Sequence, residues 1–187
     1  MIDRARAWSI LTEFTYGDSL RKYARAVEAS MRAYAGRYGG DPETWGIAGL
    51  LHDFDYEMHP RAPHHPMKGA EILHARGVPE HVVYAVLAHA DYSGMPRVSL
   101  LDRALYACDE LTGFVHACAL VRPGKVITGM EAASVTKKLK DKAFARTINR
   151  DDVYRGAAEL QVELDEHITF VVAALTAVAP EIGLATA

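Results

Sequence analysis

The sequence predicts an all-α fold, on three observations. Apolar residues recur at steps of three and four along nearly every segment. Residues that start and stop helices fall between those segments. No segment alternates convincingly as a strand would, and the short Val126-Ile127-Thr128 piece is too brief to found a sheet.

The elements follow in order. From Asp18 the stripe Leu20, Tyr23, Val27, Met31 and Tyr34 marks one helix, with Asp18 or Ser19 to cap its start and Gly36 or Gly39-Gly40 to end it. Asp41-Pro42 opens the next with a capping acid and a proline in the first turn, and it carries Trp45, Ala48, Leu50 and Leu51. A polar, proline-bearing stretch runs from Asp55 to Pro66. Met67 to Ala75 is helical and Gly77 stops it. Pro79 starts a helix with Val82, Val83, Val86 and Leu87 on one side. Ser99 and Asp102 form a capping box before a helix over Leu100 to Cys118. Between Arg122 and Arg150 glycine and charges break the period. Gly156 to Ala179 reads as one long amphipathic final helix. The expectation is seven to nine helices without internal repeats.

The chain has 187 residues, the length of one domain (1–187). Half the residues are hydrophobic and 24% are charged, as in an ordinary globular protein. A net charge of -3 excludes an overall basic surface and so general nucleic-acid binding. There are 2 cysteines, Cys108 and Cys118, on one expected helix. Ten residues of helix separate them by about 15 Å, too far for a disulfide. That favours a reduced, cytoplasmic setting. The N-terminal stretch does not read as a signal peptide, and no uncharged run is long enough to span a membrane. Oligomeric state leaves no mark.

Of 9 histidines, seven fall between His52 and His89. His52 lies seven and four residues past Trp45 and Ala48, on their apolar stripe. Asp53 is three past Leu50, and His89 is three past Val86. Asp109 follows Leu105 by four residues in the apolar run ALYACDELTGF. Burying an unpaired carboxylate costs several kcal/mol. Two carboxylates among several imidazoles are most cheaply satisfied by a divalent metal.

Four stretches carry a resemblance to a known family: GLLHDFDYE, HHPMKGAEIL, VLAHADY and LYACDELTGF. In that order they resemble the HD-domain superfamily of metal-dependent phosphohydrolases. The continuation through ALVRPGK and SVTKKLKDKAFARTINRDD is similar to small bacterial and archaeal HD/HDIG-type proteins. The resemblance implies a helical bundle around one or two metal ions. It puts the metal-binding core at about 18–118, and a basic segment and a C-terminal helix at 119–187. Its ligand set maps to His52, Asp53, His65, His89 and Asp109, with His64 able to replace His65. The first ligand of the family, a histidine, falls on Tyr23 here. Tyr23 then either ligates as phenolate, leaves a position to water, or fills core space and hydrogen-bonds a neighbour. His59 reads as surface.

The mixed histidine and carboxylate set suits Mn, Fe, Co, Ni or Zn, and Mg less well. The reaction implied is hydrolysis of a small phosphorylated or nucleotide-like substrate by metal-activated water. Asp53 is central to it, and Asp55 or Glu28 would orient the water. The run from Lys137 to Arg150 holds six positive residues against one negative. Lys137, Lys138, Lys140 and Lys142, with Arg122 and Lys68, are the candidates for binding an anionic substrate. Two alternatives share the same residues: a di-iron oxygenase, and a catalytically degenerate binding domain in which Tyr23 marks the lost ligand.

Overall fold

The computed structural model describes residues 2–186. Among them the backbone forms nine α-helices: α1 (Arg4–Phe14), α2 (Asp18–Tyr38), α3 (Pro42–Leu51), α4 (His64–Ala75), α5 (Glu80–Ala88), α6 (Leu100–Leu120), α7 (Ala132–Leu139), α8 (Arg150–Leu160) and α9 (Leu164–Ala177). Extended pairing among these residues is limited to one bridge between Val126 and Ala185. The fold is all-α, as the periodicity predicts.

The helix ends have local causes. The Asp41 carboxylate accepts from the Thr44 N–H at 2.9 Å and starts α3 one residue ahead of Pro42. Gly39 adopts φ 70° and ends α2, its N–H closing on the Ala35 carbonyl. At α6 the capping box is complete: Ser99 Oγ accepts from Asp102 N–H at 3.1 Å, and Asp102 Oδ2 accepts from Ser99 N–H at 2.8 Å.

The short turn after α2 folds α3 back along it. Gly49 sets how closely they approach, because a Cβ there would lie 2.9 Å from the Val27 carbonyl oxygen. Helix α2 also packs on α6 and α9, and α6 on α8 and α9. The shared core holds Val27, Met31 and Tyr34 from α2, Leu50 and Leu51 from α3, Leu105, Leu111 and Phe114 from α6, and Ile168 and Leu175 from α9, all fully buried. Both cysteines are buried free thiols. No helix among the described residues is long and apolar enough to cross a membrane.

Two segments depart from the sequence reading. The expected final helix over Gly156 to Ala179 is broken into α8 and α9 at Gln161, which adopts φ 58° and caps α8. Helix α8 packs chiefly on α6, while α9 also packs on α2 and α7, so the chain must turn between them. No glycine or proline marks the turn in the sequence. Helix α1, which the reading did not anticipate, begins at Asp3, whose carboxylate accepts from the Arg6 N–H at 2.8 Å, and it packs on α3.

Candidate metal centre

Four helices and one turn bring the predicted ligands together. His52 ends α3, Asp53 follows in the turn, His65 opens α4, His89 ends α5, and Asp109 sits midway along α6. The apolar face of α3 points into the core, so the residue one turn past Ala48 points there too. His52 is therefore completely buried.

The three imidazoles share one arrangement. His52 Nδ1 lies 2.8 Å from the Gly49 carbonyl, His89 Nδ1 faces the Val86 carbonyl, and His65 Nδ1 lies 2.7 Å from Asp55 Oδ1. A carbonyl or an ionised carboxylate only accepts, so these partners assign a proton to each Nδ1. Each Nε2 is left to point inward. His65 Nε2 is 3.0 Å and His89 Nε2 3.5 Å from Asp53 Oδ1. His52 Nε2 is 3.6 Å from Asp53 Oδ2 and 3.4 Å from Asp109 Oδ1.

These atoms form two triads, Asp53 with His65 and His89, and His52 with Asp53 and Asp109. In each, the ligand atoms lie within 4.8 Å of one another. Asp53 belongs to both, its Oδ1 facing His65 and His89 and its Oδ2 facing His52. The donor set passes a simple test. His52 Nε2 is a buried nitrogen with no hydrogen-bond partner. A neutral imidazole lone pair held against carboxylate oxygens is repelled unless a positive charge lies between them. Protons meet that need in part. Burial pulls His52 and His65 down, but the neighbouring carboxylates outweigh it and push them up to about 9 and about 10. Burial would raise Asp53 and Asp109, yet the facing imidazoles hold both carboxyls below the usual carboxylate range. A divalent cation would displace those protons and satisfy the same lone pairs.

Tyr23, on α2, points its hydroxyl at Asp109. It lies 3.0 Å from the Asp109 carbonyl and in a short contact with the Asp109 carboxylate. Burial and the charges of Asp109 and Asp53 push its phenol well above its usual range. As it stands, Tyr23 is a proton donor that fixes Asp109. Among the three roles the sequence allows, this arrangement is that of the hydrogen-bonded neighbour.

Over the triads lies an open cleft of about 530 Å³. Five carboxylates line it: Asp53, Asp91, Asp109, Glu110 and Asp152. Arg155 is its one arginine or lysine among the described residues. Burial and the adjacent Asp109 push the Glu110 carboxyl up to about 8. The half-exposed rings of Tyr56 and Tyr92 stand at the rim. The Arg155 Nε donates to Tyr106 Oη at 2.6 Å, and its Nη2 contacts Asp91 and Asp152.

Several candidates from the sequence are placed elsewhere. Asp55 is fully buried and accepts from His65 Nδ1–H and, at 3.0 Å, from the Gly69 N–H, so it orients His65 and does not line the cleft. Glu28 is buried in ion pairs with Arg4 at 2.6 Å and Arg32 at 3.0 Å, beside a separate cavity. Lys68 is exposed and pairs with Glu71 at 2.8 Å. Arg122 donates to the Ile127 and Thr128 carbonyls and holds its own loop. Lys137, Lys138 and Lys140 lie on or just after α7, away from the cleft lining. Lys138 sits 4.5 Å over the Phe144 ring. Lys142 lines a shallower groove next to the cleft. His64 is exposed while His65 turns inward, and His59 pairs with His64 away from the triads.

The reading missed Asp91, Tyr92, Glu110, Asp152 and Arg155. Adjacency to His89 and Asp109 was an available signal for the first three. Asp152 and Arg155 come from α8, more than forty residues past Asp109, and carry no local signal.

Residues 24–113 match the family model described as HD domain. Among curated proteins, the chain is 28% identical over 148 residues to Ribonuclease Y of Desulfotalea psychrophila, a match that covers 73% of this chain and 27% of that protein. The chain thus spans about a quarter of the length of this relative. No solved structure matches.

Proposed function

We propose, from the HD domain that residues 24–113 form, that this chain is a metal-dependent phosphohydrolase whose centre is held by His52, Asp53, His65, His89 and Asp109. The observation that carries the reading is the pair of donor triads sharing Asp53 at the floor of an open cleft. Bound there, one or two divalent ions would activate water and polarise a phosphoryl group.

The protein's own groups supply the rest. Val86, Gly49 and Asp55 hold the Nδ1 protons, so the imidazoles present fixed Nε2 donors. Tyr23 holds Asp109. With Asp53, Asp91, Asp109 and Asp152 ionised, the acids of the cleft outnumber its positive groups, and bound metal ions would offset that charge for an anionic substrate. Two of the nitrogens of Arg155 are engaged by Tyr106, Asp91 and Asp152. Its Nη1 remains to donate to a phosphoryl oxygen. Tyr56 and Tyr92 offer flat apolar faces at the rim to the organic part of a phosphoester.

The test is elemental analysis of protein purified without added metal. Assays of phosphomonoesters and phosphodiesters with Mn, Fe, Co, Ni or Zn then follow. The reading expects bound transition metal and phosphate or alcohol release that chelation abolishes. Dioxygen uptake without hydrolysis, or a protein that never binds metal, would overturn it.

A further inference from the structure

The basic segment contributes to the cleft in a way its composition does not reveal. Residues 141–149 form a non-helical loop wrapped around one side chain. Arg150 Nη1 donates to the Ala145 and Ile148 carbonyls, each at 2.9 Å. Its Nη2 donates to the Asp141 carbonyl at 3.1 Å and to the Phe144 carbonyl. Four carbonyls on one guanidinium give the loop a defined shape. Arg150 is thereby spent internally, and its guanidinium lies over the Phe114 ring of α6.

The loop presents Lys142 and Arg146 outward on a groove of about 360 Å³. Ile148 and Asn149 line both this groove and the metal cleft, so the two adjoin across these residues. With Arg150 engaged by the loop, the groove presents two cations, Lys142 and Arg146, against the single carboxylate of Asp151. Some arginines, such as Arg32, Arg37 and Arg76, pair with carboxylates, and others, such as Arg6 and Arg61, do not; what sets the loop cations apart is their place beside the cleft. Lys142 and Arg146 have no ion-pair partner among the described residues. Two unpaired cations on a braced loop beside a carboxylate-rich cleft make a separate place for negative charge.

We infer that Lys142 and Arg146 form a second phosphate subsite. The substrate of the metal cleft then carries a second phosphate group, which crosses the Ile148–Asn149 ridge into this groove. The inference rests on the phosphohydrolase reading for its reacting phosphate. It identifies the substrate class as a bisphosphorylated or phosphodiester-linked molecule, in place of a simple phosphomonoester.

The experiment compares thymidine 5′-(p-nitrophenyl phosphate) with the same compound bearing a 3′-phosphate, on the metal-loaded protein. The extra phosphate should raise kcat/KM by about fivefold or more, as two charge-assisted contacts allow, and the gain should shrink with added salt. In Lys142→Ser/Arg146→Ser the ratio should fall to about one. The charge-conserving Lys142→Arg/Arg146→Lys should keep it. A wild-type ratio of one, or a double serine variant that retains the gain, would overturn the subsite and leave the phosphohydrolase reading standing.

If neither compound is hydrolysed, the subsite is read by binding alone. Calorimetry of thymidine 3′,5′-bisphosphate against thymidine 5′-monophosphate should then show the same preference and the same loss in the double serine variant. Equal binding of the two ligands to wild type would overturn the subsite. Blocking the 3′-phosphate as its methyl ester distinguishes the sources. A retained preference assigns the groove to the linking phosphate of a chain and a lost one to a terminal phosphate. Either supports a second phosphate site.

Discussion

His65 Nδ1 and Asp55 Oδ1 lie 2.7 Å apart, and this contact turns the opposite nitrogen of the imidazole towards Asp53. Asp55 is fully buried and touches the centre only through His65. Replacing it by asparagine keeps the volume and removes the charge that fixes the tautomer. Asp55→Asn should weaken metal binding by about tenfold or more, measured by competition with a chromophoric chelator. An unchanged affinity would show that packing alone orients His65.

Asp53 is shared by both triads, so its loss should not be local. Asp53→Ala should deplete all bound metal, while removal of a ligand confined to one triad, as in His89→Ala, should leave part of it. Metal-to-protein ratios from elemental analysis check this. Full occupancy in Asp53→Ala would remove the shared role.

Tyr23 holds Asp109 by a hydrogen bond in which the phenol donates. Tyr23→Phe should retain metal and lose about 1 kcal/mol of stability in denaturant unfolding. Tyr23→His would add an imidazole donor beside Asp109 and should tighten the triad of His52, Asp53 and Asp109. Loss of metal in Tyr23→Phe would instead mark the hydroxyl as a ligand.

Gly69 gives Asp55 its room. A Cβ at this position would lie 2.7 Å from the Asp55 Cγ, a buried carboxyl that cannot retreat. Gly69→Ala should cost on the order of 1–3 kcal/mol and lower metal affinity in parallel, because it displaces the group that aims His65. Thermal melts of metal-free and metal-loaded protein would separate the two effects.

His167 is a pH probe remote from the reaction. It is fully buried, its Nδ1 accepting from Tyr34 Oη at 2.6 Å and its Nε2–H donating to the Ala107 carbonyl at 2.9 Å. Burial holds it down at about 4, so it folds neutral. A histidine with a depressed folded pKa contributes full stability above its unfolded value of about 6.5 and loses it as the pH falls towards about 4. Through this group the wild type should lose on the order of 3 kcal/mol across that window. His167→Gln should flatten the slope, as read by denaturant midpoints at several pH values.

The helical fold was legible because buried faces impose a period on the sequence. Trp45, Ala48 and His52 share a face whatever else the chain does, and Asp41-Pro42 and Ser99-x-x-Asp102 mark helix starts by chemistry acting within three residues. The placement of His52, Asp53, His65, His89 and Asp109 about one point follows the resemblance, since periodicity gives a face and no address. The split between α8 and α9 was invisible, because Gln161 turns left-handed to suit two packing partners, not its own preference.

By itself the sequence determined most of the helical segments, α1 and the break between α8 and α9 excepted, and that His52 and His89 face the core, because both follow from spacings of three to seven residues. The tertiary structure decided the partners of those groups. It spent Glu28 on Arg4 and Arg32, gave Asp55 to His65, and brought Arg155 to the cleft from α8. Such pairings depend on how helices distant in the chain pack together, and no local pattern encodes that.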